Sequence, residues 1–449
     1  MMRIKHFLRN NEFTKRLFNF ISSSPLYRGA LVIGSGTLLA QLIGVITLPI
    51  ITRIYTPSEM GILTIYSSIL SIAVIAATFR YEFTYILPEK EEKAANIFAL
   101  CIMILSITSV AFSLIIILAG DVLVDFLGLG SLGNYYWLLI PGFVGAGFYS
   151  VLNYWAIRHR DYHRITYTRL NQSFGGAISK IILGLLSFGS IGLIFGHIIS
   201  QVAGIGTLSK AMWRTEKRNL GKVSISGIKS AAREYWTFPA FNLPSSILNT
   251  LSLQLPPLLL VAIYDPHIVG LYALAYGILV IPSSIVSSSL GQAFMGEVSK
   301  IVRERSPGLR QVYLKTVRDL ALIAIPSIGI IALTAPFLIS LIFGNEWADA
   351  GLLCIPLAIM IIPQFIISPT THLTIYGFNH WMLMWDIARV SGVVVSFYIS
   401  HYFGVSVLIT LLLYSSVMLI MYVILVPLNL LAISKLTTGK NHNLPNSDR

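Results

Sequence analysis

The chain has 449 residues, of which 55% are hydrophobic and only 11% charged, with a mean hydropathy of +0.75 and a formal net charge of +13. Soluble domains carry roughly 25% charged residues, so this composition excludes an ordinary soluble enzyme and leaves a polytopic membrane protein. A crossing takes about 20 apolar residues, so the chain holds about a dozen helices with little left for a soluble domain.

Residues 1–27 set Arg3, Lys5, Arg9, Lys15 and Arg16 among Phe13, Leu17, Phe20 and Ile21 at helical spacing, the pattern of an amphipathic segment lying on the cytoplasmic surface. No continuous apolar core leads to a small-residue cleavage site before Gly29, so no signal peptide is expected. Crossings are expected at 29–52, 60–79, 94–118, 133–157, 166–188, 190–209, 238–263, 268–295, 319–343, 350–376, 381–402 and 406–431. Twelve crossings put both termini on one side. Of the 32 Lys and Arg residues, 29 fall in the segments on that side and one, Arg53, on the other. This bias assigns both termini and the basic loops to the cytoplasm, and it reads the net charge as topology rather than as a nucleic-acid surface. The longest outer connection, about 119–132, carries Asp121 and Asp125 and is too short to fold as a catalytic domain.

Ile54-Tyr55-Thr56-Pro57-Ser58-Glu59-Met60-Gly61 returns 209 residues later as Ile263-Tyr264-Asp265-Pro266-His267-Ile268-Val269-Gly270. In both places the block joins two apolar segments; Pro is expected to end a helix and Gly to mark the turn into the next. A duplication with an even number of crossings between copies predicts two like-facing halves, the organisation of a transporter with a substrate path between them. The expected fold is therefore all-α, with 12 transmembrane helices in two pseudo-symmetric six-helix lobes. Its parts are an N-lobe over 28–213, a cytoplasmic linker over 214–236, a C-lobe over 237–431 and a cytoplasmic tail over 432–449.

Charges kept inside a bilayer are costly, about 2.5–3.5 kcal/mol on insertion scales, so each needs a partner, water or a function. Arg169 and Lys180, eleven residues apart on the fifth crossing, share a face with Gln172 and suit an anion. Arg169 can equally snorkel to the interface, whereas Lys180 reads as too deep to do so easily. Asp386 and Arg389, three apart on the eleventh crossing, can neutralise each other, and a structural ion pair is the favoured reading. Arg53 closes the first crossing on the outer side, against the charge bias, which favours a functional role. Arg80 and Glu82 close the second crossing at the inner edge, where an interfacial anchor is the bland reading. Asn242, Ser245, Asn249 and Ser252 form a polar stripe on the seventh crossing with Gln254 at its edge, lining water or binding a helix, and Ser283 to Ser289 on the eighth favour water slightly. Prolines recur within the crossings, among them Pro49, Pro141, Pro239, Pro244, Pro256, Pro257, Pro282, Pro326, Pro356, Pro363 and Pro369, so the second half is expected to bend. His372 can carry a proton but is more often structural at such a place. Cys101 and Cys354 lie far apart in apolar stretches and read as packing residues. No phosphate loop, metal spacing or nucleophile-base set is visible, so no cofactor is expected; energy would come from an H+ or Na+ gradient or from the substrate's own gradient.

The run from Pro49 to Gly61, followed by Arg80-Tyr81-Glu82 and Leu87-Pro88, resembles the start of the bacterial polysaccharide-unit flippases, the O-antigen and capsule translocases. Asn153-Tyr154-Trp155-Ala156-Ile157-Arg158, Phe238-Pro239, Gln254-Leu255-Pro256 and Trp347-Ala348-Asp349-Ala350-Gly351 carry the resemblance along the whole chain. That family lies in the superfamily of the toxin-extrusion multidrug exporters and the lipid II flippase. The resemblance implies a V-shaped bundle that alternates between inward and outward openings. It also implies an undecaprenyl-pyrophosphate-linked oligosaccharide as cargo, moved to the periplasmic leaflet of the inner membrane. Membrane lipids are implied as surroundings, with a polysaccharide polymerase and a chain-length regulator as neighbours and no nucleic acid. Arg53 matches a family arginine at the end of the first helix, and Arg80 with Glu82 matches its Arg-Tyr-Glu pattern. Lys180 and Arg389 rest on burial and sign alone.

Overall fold

The computed structural model describes residues 25–126, 130–303, 308–371, 373, 376 and 378–437. The amphipathic segment expected before residue 25, the end of the tail and His372 lie outside these residues. All regular structure among the described residues is helical. This follows from composition, because in hydrocarbon only a helix or a closed barrel satisfies every backbone group within itself.

The first half comprises α1 (Pro25–Ile54), α2 (Pro57–Val74), α3 (Glu91–Phe126), α4 (Leu139–Arg158), α5 (Tyr162–Leu185), α6 (Gly189–Val202) and α7 (Ile205–Leu220). After α8 (Ile225–Glu234), the second half comprises α9 (Leu243–Ile263), α10 (Pro266–Arg303), α11 (Leu309–Phe343), α12 (Ala348–Ile367), α13 (Asn379–Phe403) and α14 (Val407–Thr437). Among the described residues ten spans are long and apolar enough to cross a membrane, with α6 and α7 together making one of them. The other two expected crossings fall on α5, whose hydropathy is lowered by Arg169, Gln172 and Lys180, and on α10. The buried apolar side chains separate by half. One cluster is drawn from α9 to α14 with Ile65 as its sole buried member from the first half, and two further clusters lie wholly before residue 232.

Several boundaries move for physical reasons. The sixth crossing breaks at Gly204, held at φ +102°, and α7 then runs on to Leu220. The segment expected as a linker over 214–236 therefore begins inside a helix and also contains α8. This helix docks on the first half through Ser224 N to Asn96 Oδ1 at 3.1 Å, Tyr81 Oη to the Ala232 carbonyl at 3.0 Å and Lys93 to Glu234 at 2.6 Å. The tenth crossing stops at Ile367, well short of 376, and passes into a tight turn through Pro369. Conversely α3 extends to Phe126, into the stretch expected as the longest outer loop. Pro239 sits in a π-turn over Phe238–Asn242 and Pro244 in the first turn of α9, where a missing N–H costs little.

The duplicated block has a different role from the one its residues first suggest. Pro57 and Pro266 begin helices rather than end them. Thr56 caps α2 in a reciprocal box, with Thr56 N donating to Glu59 Oε2 at 2.8 Å and Glu59 N to Thr56 Oγ1 at 3.4 Å. Asp265 repeats the chemistry at the second copy, its Oδ1 accepting from Ile268 N at 2.9 Å. Removing such a cap typically costs about 1 kcal/mol. Thr56→Ala is therefore expected to lower the thermal unfolding midpoint measurably without abolishing folding, and an unchanged midpoint would show the cap to be idle.

Gly61 and Gly270 are not turns either, but lie within α2 and α10 where the two copies meet. A Cβ on Gly61 would stand 1.8 Å from the Pro266 carbonyl oxygen, and one on Gly270 1.8 Å from that of Pro57. Only glycine lets the backbones approach this closely. A second tie crosses nearby, from Trp347 Nε1 to the Thr52 carbonyl at 2.9 Å. The two halves are thus sealed together at the end of the bundle opposite the basic segments.

Candidate functional site

Three candidate residues of the first half, Arg53, Arg169 and Lys180, lie along the packed pair α1 and α5. Small residues bring these helices together, since a methyl on Gly36 would fall 2.2 Å from Thr166 Cγ2 and one on Gly184 2.4 Å from Ile54 Cγ2. Towards the basic end, Arg169 Nη1 donates to Thr37 Oγ1 on α1, and Gln172 Nε2 donates to the Gln201 carbonyl of α6 at 3.3 Å. Towards the opposite end, Tyr55 Oη donates to the Lys180 carbonyl at 2.7 Å. The stem of Lys180 rests on Gly196, where an added Cβ would be 2.4 Å from its Cγ.

Lys180 stands nearer the end of its helix than the expected crossing over 166–188 places it. With α5 ending at Leu185, it stands about 7–8 Å along the axis from that end. Arg53 occupies the last turn of α1 at the same end; it is exposed and has no hydrogen bond or ion pair among the described residues. Its neighbours Thr52 and Tyr55 are both engaged, one by Trp347 and the other by Lys180. Arg169, Lys180 and Arg53 therefore mark successive levels of one helix pair, and the last two sit beside the seam between the halves.

Two polar residues on α6 escaped the sequence reading. His197 and Gln201, one turn apart, join side chain to side chain at 3.3 Å, with His197 edge-on to Tyr66 at 6.0 Å and within electrostatic reach of Lys180. Their spacing was available as a signal, but each stands alone in an apolar run. Only the packing of α5 against α6 joins them to Gln172 and Lys180.

In the second half the ion pair closes on itself. Arg389 Nη2 meets Asp386 Oδ1 at 2.8 Å, both residues being at most 3% exposed, and also Asn249 Oδ1 of α9 at 3.1 Å. The guanidinium lies 4.4 Å from the centre of the Trp385 ring. The stripe on α9 consequently splits. Asn249 joins α9 to α13, Ser252 is buried and bonds the Leu248 carbonyl of its own helix, Asn242 is exposed in the π-turn and Gln254 is half-buried. The side chains of Ser283 to Ser289 lie outside those described.

Arg80 and Glu82 stand at the basic end, 3.6 Å apart, in a turn where Phe79 and Arg80 take φ +51° and +65°. Glu82 is buried and bonded by Thr78 Oγ1, and Arg80 lies over Phe83 at 4.9 Å. Nearby, His159 Nε2 meets Glu216 Oε1 at 2.9 Å and Arg158 meets Glu91 at 3.0 Å. The ligand atoms of Glu91, His159 and Glu216 come within 4.8 Å of one another, the one such group found among the described residues. Each is already taken by a protein partner, so the group serves to fasten the ends of α3, α4 and α7.

The fold has solved counterparts. The lipid II flippase MurJ in an inward closed conformation superposes with a TM-score of 0.69 at 12% identity, covering 91% of this chain and 90% of that one. A multidrug resistance MATE family transporter of the MOP superfamily in its inward-facing conformation gives 0.62 at 16% identity over 92% and 96% of the two chains. An outward-facing MATE transporter gives 0.53 at 16% identity over 94% and 98%. At such identities the likeness establishes the fold alone, a helical bundle of the kind these proteins have. By sequence, the teichuronic acid biosynthesis protein TuaB of Bacillus subtilis (strain 168) is 27% identical over 201 residues, which are 42% of this chain and 40% of that protein. The family described as "Polysaccharide biosynthesis protein" matches residues 50–351, about two thirds of the chain, from the end of α1 through both copies of the duplicated block to the start of α12. The chain belongs to that polysaccharide biosynthesis family.

Proposed function

We propose that the protein is a flippase that carries undecaprenyl-pyrophosphate-linked oligosaccharide repeat units, of O-antigen or capsule type, from the cytoplasmic to the periplasmic leaflet by alternating access. The observation that carries this reading is the succession of Arg169, Lys180 and Arg53 along one helix pair, ending at the seam between two separately cored halves. A pyrophosphate cannot enter hydrocarbon without replacement of its water, and Lys and Arg are the side chains that replace it by charge-assisted hydrogen bonds. Family membership, and a relative named for teichuronic acid, support a polysaccharide precursor as cargo. The positive-inside bias supports placing the basic end in the cytoplasm of a bacterial inner membrane, with both termini there. On that placement the Gly61–Gly270 seam closes the periplasmic side, and the exposed Asn242 near the basic end is available to sugar hydroxyls.

A multidrug or small-cation exporter of the same fold calls for an acidic residue free within the first lobe. Glu82, the nearest candidate, is instead held by Thr78 and Arg80 at the basic end. A polysaccharide polymerase in turn calls for a large outer loop, and α3 continues as helix through most of the longest one.

Arg53→Ala and Lys180→Ala are the test. Losing a charge-assisted contact worth about 1.5–3 kcal/mol to the moving head group predicts a fall of about tenfold or more in export rate. This is read as surface polysaccharide at equal membrane protein level. Full export by both variants removes these residues from the mechanism.

A further inference from the structure

At the basic end of α5 a cleft of about 650 Å³ opens between that helix and α7. Its walls carry Arg164 and Tyr167 from α5 and Thr207, Lys210, Arg214 and Thr215 from α7. This volume is within the roughly 300–1,000 Å³ usual for small-ligand sites. Arg164 is already paired with Asp161 at 2.6 Å, whereas Lys210 and Arg214 have no ion pair among the described residues. Two unpaired cations and three hydroxyls facing one cavity match an anion of two or more charges.

The cleft also has a direction. Above Tyr167, α5 presents Phe174, Ile178, Ile182 and Leu185 at steps of seven, four, four and three, all between 51% and 70% exposed, as one continuous apolar face. Arg169 and Lys180 point about 140–160° away from Tyr167 around the same helix, towards the polar interior of the half. The basic cleft is therefore the foot of a lipid-facing stripe, separate from the cations assigned above. A charged pocket continuous with an exposed apolar helix face fits an amphiphile, with its head in the pocket and its tail along the helix.

We propose that this cleft is a landing site for a polyprenyl lipid with a pyrophosphate head group in the leaflet at the basic end, its tail lying along α5. The assignment rests on the lipid-linked cargo proposed above. The head group is preferred to that of a bulk phospholipid because a phosphodiester brings one charge to a site that leaves two cations unpaired. In transport order the site precedes the α1–α5 interior, holding the head group before the halves admit it.

The test uses the full-length chain in nanodiscs of phosphatidylcholine, with bound lipid counted by native mass spectrometry during titration with undecaprenyl pyrophosphate or phosphatidylglycerol. Undecaprenyl pyrophosphate is expected to bind in preference to phosphatidylglycerol. The Lys210→Gln/Arg214→Gln double variant, on exposed positions of α7, is expected to weaken that binding by about tenfold or more. The charge-keeping Lys210→Arg/Arg214→Lys variant is expected to bind as the wild type does. Equal binding of undecaprenyl pyrophosphate by the glutamine variant and the wild type overturns the cleft while leaving the flippase reading intact. Preference for phosphatidylglycerol makes the cleft a site for bulk anionic lipid and overturns the proposal. Absence of binding to the wild type removes both the cleft and the proposed cargo.

Discussion

Gly61→Ala is expected to part the two halves while leaving each one folded. Its new methyl would lie 1.8 Å from the Pro266 carbonyl oxygen, an obstacle made of backbone that no rotamer change removes. Overpacking a rigid contact typically costs about 1–3 kcal/mol. Applied to one state of a two-state equilibrium, that is a shift of about 5- to 150-fold. The shift runs away from the state in which Gly61 and Gly270 touch, and because the apolar cores lie within the separate halves, neither has to melt. Met60, which packs against the clusters of both halves, is the reporter. Met60→Cys should react faster with a membrane-impermeant maleimide when Gly61 is alanine, and export should fall; Cys101 and Cys354 are buried and contribute little labelling. Identical labelling with and without the alanine would mean that the seam tolerates a methyl and is not the closure described.

The second large effect is expected at Asp386. Removing one partner of a buried ion pair leaves the other charge uncompensated and costs about 3–5 kcal/mol. Arg389 in the Asp386→Ala variant would keep Asn249, Tyr422 and the Trp385 face, none of which carries the compensating charge. The expected result is a marked drop in thermal stability and membrane abundance, largely recovered by Asp386→Asn with Arg389→Gln, which removes both charges. Wild-type stability in Asp386→Ala together with lost export would place the pair in translocation rather than in the helix contact.

What the sequence shows of this molecule is mainly what depends on local pattern. Apolar length locates the spans. The i, i+3 spacing of Asp386 and Arg389 already implies their pairing, and the duplicated block is visible by eye. Its meaning is not, because a Pro–Gly block reads equally as a turn or as a capped helix start whose glycine faces another backbone. Only the meeting of residues 209 positions apart decides for the second. The end of α5 is hidden for a related reason: the helix stops at Leu185, three residues before the expected end, ahead of a turn in which Ser187 takes φ +61° and Gly189 φ +54°, and hydropathy does not mark that end. His197 and the cleft of Lys210 and Arg214 needed tertiary structure. The first acquires polar neighbours only across a helix interface, and the second consists of residues whose charge already had a sufficient explanation in topology.

The most direct test of the account is a flipping measurement on purified protein in sealed vesicles, using a lipid-pyrophosphate-linked glycan with a fluorescent head group and a membrane-impermeant quencher. With the wild-type chain, in the presence of an H+ or Na+ gradient or of the substrate's own gradient, the quenchable fraction should rise above that of protein-free vesicles. It should fall back when Arg53 and Lys180 are both alanine. Head groups that stay in their original leaflet under all three gradients, with folded wild-type protein present, would contradict the account.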